Sequence, residues 1–169
     1  KTTGSMVRSF VYIDPKGLTF ETVDGKRQAS FELHGVIFGD NGIMVEQHQR
    51  TATLSLTDRD YEHAMRNGMA LKIDMPVKKP GSYQVRVAAR DRNSAKIGSS
   101  GEFVEVPDLN KKRMAVSGIV LGTTSDGNEI LERPATRNFD PNTDLHFAFV
   151  TYNATSTSNL VMEAKLFRD

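Results

Sequence analysis

The sequence predicts an all-β chain, an immunoglobulin-like antiparallel β-sandwich with one short helix, followed by a partial second β module. Three observations predict it. Apolar residues recur at every second position through most of the 169 residues, the spacing of half-buried strands. The alternating runs are short and punctuated by Pro, Gly, Asn and Asp, the residues of tight turns. One run opens on a Tyr directly after a Pro-Gly pair, in "PGSYQVRVAARD" at 80–91.

The elements follow in order. "VRSFVYI" at 7–13 places Val7, Ser9, Val11 and Ile13 on one face and Phe10 and Tyr12 on the other. "DPKG" turns the chain, because proline presets the backbone angle its second position needs. "LTFETV" then runs into Asp24-Gly25, a two-residue hairpin signal. In "QASFELHGVIF" at 28–38, Ala29, Phe31, Leu33, Gly35 and Ile37 alternate with Ser30, Glu32, His34, Val36 and Phe38. "GDNG" at 39–42 breaks the run, and "IMVEQHQ" and "TATLSLT" read as two shorter strands. Ala52, Leu54 and Leu56 share the inner face of the second.

"TDRDYEHAMRNG" leaves the period of two. Thr57 and Asp60 stand in capping-box spacing, Tyr61, Ala64 and Met65 share a face, and Asn67-Gly68 ends the run. This is one short helix between strands. "MALKIDM" at 69–75 is the next strand. In the run at 80–91, Tyr83, Val85, Val87 and Ala89 face inward. A Tyr at the first inward position after a corner buries its ring and returns its hydroxyl to the backbone, as in the tyrosine corner of such sandwiches. Pro80, Gly81 and Tyr83 are therefore architectural, and 80–91 is the penultimate strand. "KIGSSGEFVEV" is the last.

The domain boundaries follow: a sandwich over 1–107, a linker over 108–114, and a second, incomplete β module over 115–169. "PDLNKKR" at 107–113 carries a Pro, three consecutive bases and no periodicity. "MAVSGIVL" and "NLVMEAKLFRD" read as strands, and "LHFAFVTY", apolar on both faces, reads as a central strand covered on both sides. Some 55 residues are too few to close a sandwich alone, so an unpaired edge near 160–167 should seek a partner strand and give a homodimer.

Composition narrows the function classes. The hydrophobic share is 38%, the charged share 25% and the net charge +1, which disfavours nucleic acid as a partner. No apolar run approaches the roughly 20 residues of a membrane helix, so no membrane insertion is expected. There is no cysteine, hence no disulfide, thiolate nucleophile or Cys-ligated metal. Asp140, Asn142 and Asp144 occupy the first, third and fifth positions of a calcium loop, yet Leu145 stands where that loop needs Gly and Thr151 where it needs Glu. A polar turn is the better reading. His34, His48, His63 and His146 lie in four separate elements without ligand spacing. No nucleophile elbow or phosphate loop is present. The expectation is a protein without catalysis and without a cofactor, whose binding, if any, uses the loops at one sandwich end: 39–42, 58–68 and 90–96.

The phrases "GSYQVRVAARDRNSAKIGSSGEFVEVPDLNKKRMAVSGIVL", "FDPNTDLHFAFVTYNA" and "KLFRD" resemble the segment that follows the von Willebrand factor A domain in bacterial VWFA-related proteins. The resemblance implies an exported bacterial protein with an extracytoplasmic, structural or adhesive role. It also implies a protein partner, or the chain's own upstream VWFA domain. The metal-ion-dependent adhesion motif of the A domain is not in this sequence, so no ligand residue carries over. A carbohydrate-binding module is the alternative. It would need exposed aromatics in a line, and Phe10 and Tyr12 are the candidate pair.

Overall fold

The computed structural model describes residues 4–123, 135, 139, 141–155, 159–165 and 167. Strand β1 (Ser5–Ile13) leads through a single 3-10 turn (Pro15–Gly17) to β2 (Glu21–Val23) and β3 (Lys26–Gly39). Asp24 and Gly25 between them both take positive φ, 50° and 72°, the conformation a two-residue hairpin requires. Then come β4 (Met44–Leu56), α1 (Asp58–Asn67), β5 (Met69–Val77), β6 (Gly81–Asp91) and β7 (Ile97–Val106). The predicted all-β sandwich with one helix is the observed fold. Where two short strands were expected over 43–57, β4 is one continuous strand. It pairs with β3 along nearly its whole length, and a bulge at Ile37/Phe38 absorbs the irregularity without ending the ladder.

Two sheets face each other. One is the antiparallel pair β1–β5. The other runs β4–β3–β6–β7, with β2 continuing the β6 side of β3. The core between them is largely the inward set predicted from alternation: Phe31, Leu33 and Ile37 of β3 against Ile73 and Met75 of β5, closed by Val7, Tyr83, Val85 and Val87; Val77, past the Pro76 expected to end β5, and Val106 join it. Each large side chain withdrawn from water here contributes about 1.5–3 kcal/mol. Tyr83 is buried and its hydroxyl donates to the Lys79 carbonyl at 2.7 Å. The tyrosine corner is therefore formed, at the start of the penultimate strand.

Helix α1 begins as predicted. The Thr57 hydroxyl accepts from the Asp60 N–H at 3.2 Å and donates to the Asp60 carboxylate at 2.7 Å. Ala64 is its buried residue, and Tyr61 meets the Phe20 ring edge-on at 5.0 Å. Gly68 ends the helix at φ 72° with the Tyr12 ring over its backbone, where any Cβ would collide.

Beyond Val106 the elements are small: a 3-10 turn (Leu109–Lys111), β8 (Ala115–Val116), β9 (Val120–Gly122), β10 (His146–Ala148) and β11 (Thr151–Tyr152). β9 pairs with β10 and β8 with β11. Asn153 donates to the carbonyls of Leu109 and Arg113, both at 3.0 Å, which ties this part to residues 107–113. Three expectations fail here. "MAVSGIVL" at 114–121 is not one strand but two, β8 and β9, with 117–119 in neither. The run at 145–152 is not a central, doubly covered strand: it breaks at 149–150, and Leu145, Phe147 and Val150 are exposed. Apolar content on both faces does not by itself bring cover on both sides. The described residues of 159–167 form no strand, since a strand needs a ladder partner that alternation alone does not supply.

Candidate functional site

The register of the larger sheet builds a groove on its outward face. β3 offers Phe38 and β6 offers Gln84 directly opposite; Gln84 in turn faces Phe103 of β7. The three form one cross-strand row, with the rings two strands apart, about 10 Å from the usual strand spacing. Arg86, one position along the same face of β6, lays its guanidinium over the Phe38 ring with its carbon 5.5 Å from the centroid. Phe103 is 78% exposed. The groove holds about 540 Å³ and is bounded by these residues, Ser82 and the 39–42 turn. In that turn the Asn41 side chain accepts from the Ile43 N–H at 3.0 Å, while Gly39 donates to the Ile43 carbonyl at 2.9 Å. Ile43, Met44 and Val45 extend the apolar surface beside it and are exposed.

Such a site offers two aromatic rings, one cation, an amide, the Ser82 hydroxyl and the Asp40 carboxylate. An aromatic with a guanidinium stacked on it presents a flat surface bearing hydrogen-bond donors. The arrangement can hold an amphipathic ligand.

The sequence-predicted residues fall elsewhere. Tyr83 lines the inner wall beneath the groove, and Gly81 takes φ 149° just before it. Phe10 is half-buried, and Tyr12, 45% exposed, rests its ring on Gly68. They share the outward face of β1 with Arg8, whose guanidinium makes two hydrogen bonds to Asp74 at 2.8 and 2.9 Å. Of the calcium candidates, Asp140 lies outside the described residues, and Asn142 and Asp144 sit in an exposed turn. Among the described residues no three His, Asp or Glu side chains group as a cation site would need. His34 lies 3.9 Å from Glu32 on the outer face, and His63 is within 3.3 Å of the Asn67 amide on α1.

The three loops expected at one sandwich end do not share it. Gly39 pairs with Tyr83 at one end of the sheet, whereas Phe31 pairs with Asp91 at the other, where α1 also packs. The 91–96 loop is moreover anchored. Asp91, 2% exposed, accepts from the hydroxyls of Thr19 at 2.7 Å and Ser94 at 2.6 Å. Burial pushes this carboxyl up, but the Ser94 and Thr19 hydroxyls, with the Thr19 and Asn93 backbone amides, hold it below the ordinary range. Glu21 accepts from Asn93 at 3.3 Å on the same side.

Sequence reasoning missed the Phe38–Gln84–Phe103 row because its members lie 65 residues apart and meet only through register. One signal was available: Phe38 stands on the otherwise mostly polar side of its strand.

No protein-family profile matches this sequence, and no curated protein does. Solved structures show partial similarity. A β-glucuronidase of Bacteroides uniformis is 16% identical with a TM-score of 0.40, over 62% of this chain and 12% of that one. A calcium-binding mutant of B. uniformis β-glucuronidase 2 is 15% identical with a TM-score of 0.41, over 68% of this chain and 12% of that one. The same enzyme covalently bound to cyclophellitol-6-carboxylate aziridine is 16% identical with a TM-score of 0.37, over 60% and 11%. The chain thus spans about an eighth of these enzymes' length.

Proposed function

We propose that this chain is a non-catalytic interaction module of an exported, VWFA-related bacterial protein, and that it binds a protein partner through the outward face of its larger sheet. The observation that carries the reading is the outward row Phe38–Gln84–Phe103, half-buried at Phe38 and Gln84 and exposed at Phe103, with Arg86 stacked on Phe38. The Phe103 ring, left in water on the edge strand β7, gains little for the fold, and aromatic and Arg side chains are the anchors of protein interfaces. The division into a sandwich over 1–107 and a second module over 115–169 belongs to the same proposal. So do the extracytoplasmic location and the upstream VWFA domain as partner.

The test uses the parent reading frame. An A domain encoded upstream is expressed separately and titrated against this chain by calorimetry. Binding is expected, with Phe103→Ala weakening it about tenfold or more, as loss of a central aromatic anchor does. A reading frame without an A domain, or heats of dilution alone, would remove the VWFA partner.

The same row also favours a second reading, a carbohydrate-binding module, because aromatic faces beside an amide and a guanidinium suit sugar rings. A glycan array separates the two: Phe103-dependent binding to a saccharide, without binding to the A domain, selects the carbohydrate.

A further inference from the structure

The sandwich is open along one side. β1 pairs only with β5 and β7 only with β6, so each keeps one row of backbone N–H and C=O groups without a strand partner among the described residues. Both rows border the same cleft of about 510 Å³, whose apolar lining includes Val11, Ile13, Leu18, Val87, Ala89 and Ile97. The inward-facing side of β7 is uncovered there: Gly98, Ser100 and Glu102 lie opposite inward residues of β6 yet are exposed. The cause is the mismatch between sheets, two strands facing five. The cleft lies where an immunoglobulin-like sandwich carries its first strand beside the second. Residues 97–101 of β7 carry neither charge nor Pro, the devices that usually protect an edge.

The same chain carries a strand-like sequence without a ladder. Residues 159–167, "NLVMEAKLF", place Leu160, Met162, Ala164 and Leu166 on one side by alternation. Glu163 and Lys165 fall on the other, and their ion pair at 3.0 Å agrees with that. Leu160 is 54% and Met162 67% exposed, while Val161 and Phe167 share the side of Glu163 and Lys165, and none of the described residues of this segment lies in a strand. Its nine residues equal the length of β1.

We infer that residues 159–167 of one copy pair as an added strand in the cleft between β1 and β7 of a second copy. The backbone bonds to the open edges while Leu160, Met162 and Ala164 fill the apolar cleft. Each copy has both the donor strand and the acceptor cleft, so the exchange is reciprocal and closes at two. The inference builds on the reading of the chain as an interaction module, but it uses a different surface from the Phe103 row.

The absence of native cysteine makes the test direct. One preparation carries Ser100→Cys; three others carry Leu160→Cys, Met162→Cys or Ala164→Cys singly, which covers the register. On mixing under oxidation, at least one pair should give a reducible dimer of two 18.8 kDa chains. Light scattering of the unmodified chain should show a dimer. Met162→Lys, a change at an exposed position, should weaken that dimer about tenfold or more, the equivalent of losing one buried Met. A monomer at about 1 mM with no cross-link in any mixture overturns the inference. So does a Ser100→Cys/Met162→Cys double variant that closes only within one chain while remaining monomeric, since the occupant is then the chain's own segment. Phe103→Ala should leave the dimer intact, so this inference and the proposed function fail separately.

Discussion

Tyr83 shows how a single side chain can determine a corner. Its ring is buried and its hydroxyl reaches the Lys79 carbonyl at 2.7 Å, so the residues before β6 are held to the strand they enter. Replacing it with Phe keeps the packing but leaves that carbonyl without its donor. Tyr83→Phe should therefore lower stability by about 0.5–1.5 kcal/mol, the net value of an ordinary hydrogen bond, read as a shift in urea midpoint with unchanged slope. A shift within error would reduce the corner to simple packing. This residue was legible in the sequence because its signal is local: Pro, Gly and Tyr within four positions. Asp91 was not. Nothing near it announces that Thr19, 72 positions away, will donate to its carboxylate.

At the scale of elements, α1 was the clearest departure from strand periodicity, and its cap is the reason it begins where it does. Thr57→Ala removes the acceptor for the Asp60 N–H and should cost about 0.5–2 kcal/mol. Circular dichroism during thermal unfolding checks it, with Thr57→Ser expected to keep most of the stability because its hydroxyl can accept the same bond. Element type followed from period and turn chemistry for all seven strands of the sandwich. Element continuity did not. Residues 43–57 form one strand because β3 offers an unbroken edge across from them. Residues 159–165, equally strand-like in pattern, have no ladder in the described structure. Alternation reports a tendency to lie half-buried on a pleated surface; the ladder partner that makes a strand is a property of another segment.

For the whole molecule, two carboxyl groups link folding to pH. The hydrogen bond from Arg8 draws Asp74 below its ordinary value, against some desolvation and with help from the Arg8 and Lys72 charges. Asp91 lies below it for the reasons given above. A carboxyl depressed in the folded state contributes stability above its unfolded value of about 3.9, and that contribution is lost as pH falls through the lower folded value. The urea midpoint should thus hold between about pH 5 and 7 and fall below about pH 4. Asp91→Asn should flatten the acid limb, and an unchanged limb would sink the assignment. The sequence by itself determined the sandwich class, the inward set Phe31, Leu33, Ile37, Ile73 and Met75, the helix and the tyrosine corner, because period, caps and turns act within a few residues of themselves. Only the tertiary structure decided that Phe38, Gln84 and Phe103 form one outward row, that the expected binding loops lie at opposite ends, and that β1 and β7 leave a cleft between them. Register and sheet pairing join residues tens of positions apart, and no local preference encodes which distant edge a strand will meet.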